Sequence, residues 1–113
     1  MALTKDFRDT IFERAHRDPK FRRELLTNAL SELLSGDIEL GKSILRDYIN
    51  ATVSFKILAS KLHKNSKSLQ RMLSSSGNPT LESLCEMLSA LQKMEGIRLE
   101  VNAISSKSNK RLH

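Results

Sequence analysis

Five basic side chains, Lys56, Lys61, Lys64, Lys67 and Arg71, lie between Phe55 and Asn78 with no acidic residue among them. A surface of one sign can neutralise a run of phosphates and release their counterions, which is a chemistry of binding rather than of bond-making. Asn65, Ser66, Ser68 and Gln70 are interleaved with these cations. Gln can pair bidentately with adenine and Arg with guanine, while Ser and Lys suit phosphates or base edges. Of the net charge of +6, from 19 Lys+Arg against 13 Asp+Glu, this window carries +5 and residues 97–113 carry +3. The remaining segments are close to balance, so the excess points to a polyanionic partner.

The other reactive residue types lack the spacing for a reaction. Asp6, Asp9 and Glu13 recur at helical spacing but alternate with Lys5, Arg8, Arg14 and Arg17, as on a solvated, salt-bridged helix face. His16, His63 and His113 have no common metal spacing, and no cysteine lies near any of them. Neither a phosphate-binding loop nor a nucleophile elbow is present. No enzyme activity, metal, cofactor or small-molecule substrate is therefore expected. Cys85 stands among Leu84, Met87 and Leu88, which predicts a buried, inert thiol in a reducing cytosol. The N-terminus MALTKDFRDT has no apolar signal core, and no apolar run approaches the ~20 residues that cross a bilayer. A cytoplasmic protein without a membrane partner is the expectation.

The elements that must hold the basic window can be read from caps and periodicity. Thr4 is a cap for a first helix, to about Arg17, with Phe7, Ile11, Phe12 and Ala15 inward. Asp18-Pro19 stops it and starts a second, with Asp as N-cap and Pro at the first helical position. That helix should bury Phe21, Leu25, Leu26, Ala29, Leu30, Leu33 and Leu34 and end at Gly36 in a left-handed conformation. Asp37 caps a third helix, to about Asn50, with Ile38, Leu45, Tyr48 and Ile49 in the core. Gly41 should weaken it by about 1 kcal/mol relative to Ala. The window itself reads as two short helices, from Val53 or Ser54 to Leu62 and from a Ser66 cap to Leu73. After the loop Ser74–Pro79, Thr80 caps a sixth helix whose stripe is Leu81, Leu84, Cys85, Leu88, Leu91 and Met94, ended by Gly96. Ile97-Arg98-Leu99-Glu100-Val101 then alternates apolar and charged, the period of a half-buried strand. A lone strand has no ladder partner, which suggests pairing with its copy or with another protein. The tail 105–113 is polar and basic, a composition expected to be disordered.

The stretch from Ser54 to Leu91 resembles the lambda-repressor-like (XRE-type) helix-turn-helix domain, with Leu58-Ala59, Leu62, Leu69 and Met72 where that motif keeps its core. Gly77-Asn78-Pro79-Thr80-Leu81-Glu82-Ser83-Leu84 is similar to the loop and following helix of helix-turn-helix antitoxins. The ending Gly96–Val101 is similar too, and the likeness covers roughly residues 37–101. Two positions depart from the pattern: His63 stands where many such turns have Gly, and Lys64 where an apolar residue is usual. The caps and periodicity make the chain all-α with one possible strand, and the resemblance gives its middle a lambda-repressor-like helix-turn-helix bundle. The chain would divide into an N-terminal helical extension (1–36), a helix-turn-helix domain (37–96), a short C-terminal β-strand (97–104) able to pair in a dimer, and the tail (105–113).

The resemblance implies a homodimeric, sequence-specific DNA-binding repressor, the antitoxin of a type II toxin–antitoxin module. Such a protein neutralises a RelE/HigB-like toxin and represses its own operon. Base reading would then fall to Asn65, Ser66, Lys67, Ser68, Gln70 and Arg71. Phosphates would be held by Lys56, Lys61 and Lys64 with backbone N–H groups around Asn78 and Thr80. The first two helices fall outside the likeness: they either enlarge the core or present Phe7, Phe12 and Phe21 to a partner. A stand-alone regulator without a toxin, and a dimerisation or docking module that never meets DNA, remain the alternatives.

Overall fold

The computed structural model describes residues 5–106, which form six α-helices. They are α1 (Lys5–Arg17), α2 (Pro19–Ser35), α3 (Ile38–Thr52), α4 (Ser54–Leu62), α5 (Ser66–Met72) and α6 (Leu81–Glu95). The fold is all-α, as the periodicity predicts. The proposed Thr4 cap, the Phe7 side chain and the tail beyond Ser106 lie outside the described residues.

Caps account for most boundaries. The Asp18 carboxylate accepts from the backbone N–H groups of Lys20 and Phe21, with Pro19 following it. Those bonds, the Phe21 N–H first, hold its pKa below the ordinary carboxylate value. Asp37 and Thr80 cap α3 and α6 through the N–H groups of Leu40 and Ser83. Gly36 and Gly96 close α2 and α6 with φ of 97° and 74°. At both ends the next residue's N–H reaches back to a carbonyl five residues earlier, Asp37 to Glu32 and Ile97 to Gln92. That is the Schellman arrangement, which satisfies carbonyls the helix itself leaves open.

A single core unites all the helices from α2 to α6. It holds Leu26 and Ala29 of α2, Leu45, Tyr48 and Ile49 of α3, and Phe55, Leu58 and Ala59 of α4. Leu69 of α5, Leu73 just after it, and Met87 and Leu91 of α6 complete it. Each such large apolar side chain contributes about 1.5–3 kcal/mol by leaving water. Ala15 of α1 is also fully buried. The first two helices are thus built into the protein's packing, whatever else their outer faces do.

Gly41 does more than weaken a helix. A Cβ there would lie 2.6 Å from the Leu33 side chain and 3.1 Å from the Ala29 carbonyl oxygen. The glycine lets α2 and α3 approach closely, and a side chain would prise them apart.

Several expectations need correction. Leu34 is 68% exposed and Ile38 45%, because they flank the α2–α3 turn, where the helices diverge from the core. On α6, Leu81 is 77% exposed and Cys85 is exposed, whereas Met87 is fully buried. The inward arc runs through Leu84, Met87, Leu88 and Leu91, and Cys85 falls one helical step outside it. The thiol is therefore not buried. The segment 97–104 contains no strand: in one chain nothing supplies a ladder, although Ile97 and Leu99 pack on the core.

Polar contacts tie the bundle together where sequence periodicity is silent. The Glu95 side chain, 4% exposed, accepts a 2.6 Å hydrogen bond from the Tyr48 hydroxyl and two of 3.1 Å from Arg22 Nε. Arg22 also donates to the carbonyls of Ala15 and His16, so one guanidinium links α1, α2 and α6. Burial first, then the Glu95 carboxylate, pushes the Tyr48 hydroxyl above its ordinary pKa and keeps it a donor.

Candidate nucleic-acid interface

Two short helices carry the cationic window. Helix α4 turns into α5 through His63, Lys64 and Asn65. His63 sits at φ 55°, ψ 44°, the left-handed region that glycine occupies most easily. Its own N–H bonds to Ser60 and that of Lys64 to Ala59, a Schellman ending made without glycine. Left-handed backbone costs a side-chain-bearing residue roughly 1–2 kcal/mol. Histidine tolerates this region better than most residues. His63→Gly should therefore raise stability by about 1 kcal/mol, read as a higher midpoint of urea unfolding with an unchanged slope. Ala59, 3% exposed, is small at the point where α4 meets its neighbours.

The N-cap of α5 is Asn65, not Ser66. Its Oδ1 accepts from the Ser68 N–H at 3.1 Å, because an Asn in extended conformation (φ −82°, ψ 129°) places its oxygen over the third N–H. One end of the Asn65 amide is thus used inside the protein. Ser66 and Ser68 are half-buried, and Ser66 Oγ accepts a 3.3 Å bond from Gln70 Nε2 along the helix. Lys67, Gln70 and Arg71 are exposed, while Leu69 beneath them is fully buried. The outer surface of α5 therefore presents one amide and two cations side by side.

The five window cations do not share one face. Lys56 is exposed on α4. Lys61 lines a groove between α4 and α6 together with Leu62, Glu82, Cys85, Glu86 and Met94. Lys64 pairs with Glu86 at 3.5 Å across to α6. Both partners of that pair are partly exposed, so it contributes at most about 1 kcal/mol and can exchange for another anion. Among the described residues no ion pair engages Lys56, Lys61, Lys67 or Arg71. Asn78 and Thr80 are exposed beside the start of α6, where the Thr80 hydroxyl is already occupied as a cap.

What the sequence reading missed lies behind α5. Lys42 of α3 is 2% exposed, and its ammonium donates to the carbonyls of Ser74 (2.9 Å) and Gly77 (2.7 Å). Its third partner is Glu39, at 2.9 Å. One turn later Arg46 donates to the Leu73 carbonyl. These two cations satisfy carbonyls at and just beyond the end of α5, where the helix dipole favours positive charge. Gly77 is pressed against the same helix end: a Cβ there would come within 2.7 Å of the Met72 carbonyl oxygen. The only trace of this clamp in the sequence is two cations four residues apart on a helix otherwise rich in apolar residues.

Among the described residues no three His, Cys, Asp or Glu side chains converge as metal ligands, and no helix is long and apolar enough to cross a membrane. Compared with protein-family models, with curated proteins and with solved structures, the chain matches none significantly.

Proposed function

We propose that this chain is a helix-turn-helix DNA-binding repressor that acts as a dimer and serves as the antitoxin of a type II toxin–antitoxin module. The observation that supports DNA binding best is the outer surface of α5, where Lys67, Gln70 and Arg71 are exposed over a buried Leu69. The helix is fastened at its far end by Lys42 and Arg46, so these side chains project from a fixed support. In this reading α5 enters the major groove and α4 crosses the phosphate backbone with Lys56. Ser66 and Ser68 are half-buried beside the outer surface of α5, and Ser66 Oγ accepts from the Gln70 amide. The antitoxin role rests on a different support, the likeness of Gly77–Leu84 to the antitoxin loop and helix.

Gln70→Ala and Arg71→Ala should each weaken a cognate operator by ~1–3 kcal/mol with smaller effects on random duplex. Lys56→Ala should weaken every duplex alike and lower the slope of affinity against salt by about one. Gel shifts on the DNA upstream of the chain's own gene measure both. Unchanged operator binding by the Gln70→Ala/Arg71→Ala protein would remove α5 as the reader, and no shift at low salt would leave only the protein-docking alternative. Co-expression with the neighbouring open reading frame separates antitoxin from plain regulator: growth rescue and co-purification are expected for the former.

A further inference from the structure

Helix α6 carries two carboxylates beside the cationic window. Glu82 and Glu86 stand one turn apart, both exposed, and both line the groove between α4 and α6 together with Lys61. Glu86 Oε1 lies 3.5 Å from Lys64 Nζ, whereas no ion pair engages Glu82 among the described residues. The Lys64 backbone is fixed, because its N–H closes α4 on the Ala59 carbonyl at 2.9 Å. The two side chains are 35% and 44% exposed, so the ammonium remains reachable from solvent. Lys64 lies in the turn that delivers α5, three residues before the exposed Lys67.

A phosphate that approaches Lys64 therefore meets a cation already neutralised, and meets the Glu86 charge as well. We propose that Glu86 competes with DNA phosphate for Lys64 and so sets how tightly the chain holds any duplex. This inference rests on the DNA-binding reading above. Glu86 acts through Lys64 and is a positioning residue, not a reader of bases. The contest is a close one, since an exposed pair of this kind shifts an equilibrium by about fivefold at most. The carboxylate moderates affinity without abolishing it. Phosphate contacts carry no sequence information, so the restraint falls on operator and random DNA alike. It leaves the ratio of the two unchanged while less of the protein is held on bulk DNA. Lys56, Lys67 and Arg71, which no carboxylate engages among the described residues, escape this restraint.

The test titrates the full chain onto the duplex upstream of its own gene and onto a random duplex, each over a range of salt concentrations. Glu86→Gln, Lys64→Ala and the Lys64→Ala/Glu86→Gln protein complete the cycle, with far-UV circular dichroism as a check on folding. Glu86→Gln should tighten both duplexes by about two- to fivefold at low salt and steepen the salt slope by at most about one. Lys64→Ala should weaken binding less in the wild type than in the Glu86→Gln background, so the double variant loses the gain. Glu82→Gln removes the same charge from the same helix and should give a distinctly smaller gain. Wild-type binding without a gain for Glu86→Gln would overturn the competition and leave the DNA reading standing. A gain that survives Lys64→Ala, or an equal one from Glu82→Gln, would do the same. Failure of the wild type to bind either duplex at low salt would overturn both.

Discussion

Replacing Glu95 with alanine should lower stability by about 3–5 kcal/mol, the cost of removing one partner from a buried charged network. The carboxylate is almost wholly enclosed and serves two helices at once: the Tyr48 hydroxyl and the Arg22 side chain both donate to it. Alanine would leave the Arg22 guanidinium, 21% exposed, without its counter-charge, and the Tyr48 hydroxyl without an acceptor. For a domain of this size each 1 kcal/mol moves the melting temperature by about 4–8 °C. A fall of about 15 °C or more is therefore expected in a thermal scan. Glu95→Gln keeps the shape and one acceptor oxygen, so it should cost distinctly less. Equal losses for the two variants would show that the negative charge contributes nothing there.

Lys42→Met should cost about 3 kcal/mol, and its effect should be concentrated around α5. The thioether fills the volume of the lysine stem but cannot donate, so the Ser74 and Gly77 carbonyls lose their buried partner. Each such orphaned group costs about 1–3 kcal/mol. Glu39 is 64% exposed and recovers water, so the lost ion pair adds little. Hydrogen exchange should show faster amide exchange across residues 74–80 and the last turn of α5 than in α2 or α3. A uniform increase over the whole chain would mean that the lysine supports global stability without holding that loop in particular. If α5 reads DNA, operator affinity should fall further in this variant than non-specific affinity does.

Local chemistry was the legible part of this fold. Asp18-Pro19, Asp37, Gly36, Thr80 and Gly96 mark helix ends because a cap is decided by a few adjacent residues, and all of them act as read. The α5 cap shifted by one position because Asn65 and Ser66 are both competent and only backbone geometry chooses between them. Side-chain direction was less legible: Leu81 and Cys85 lie at the margin of the α6 stripe, where a rotation of one residue exchanges inside for outside. The exposure of Lys67, Gln70 and Arg71 followed from charge and pattern, whereas Ser66 and Ser68, read onto the same face, are half-buried. Lys42, Arg46 and Glu95 could not be read in this way, since their distant partners are 27 to 73 residues away and no local rule predicts that proximity.

The fit of α2 against α3 has a consequence for where the polypeptide can be cut. Leu26 and Ala29 occupy the same interior as Leu45 and Tyr48, and Gly41 leaves no space between the two backbones. A fragment starting at Asp37 would keep every residue assigned to DNA yet lose one wall of its interior, uncovering an apolar trough along its first helix. Such a piece would aggregate or need a foreign cover, so dissecting the assigned activities is better served by point changes than by shortening the polypeptide.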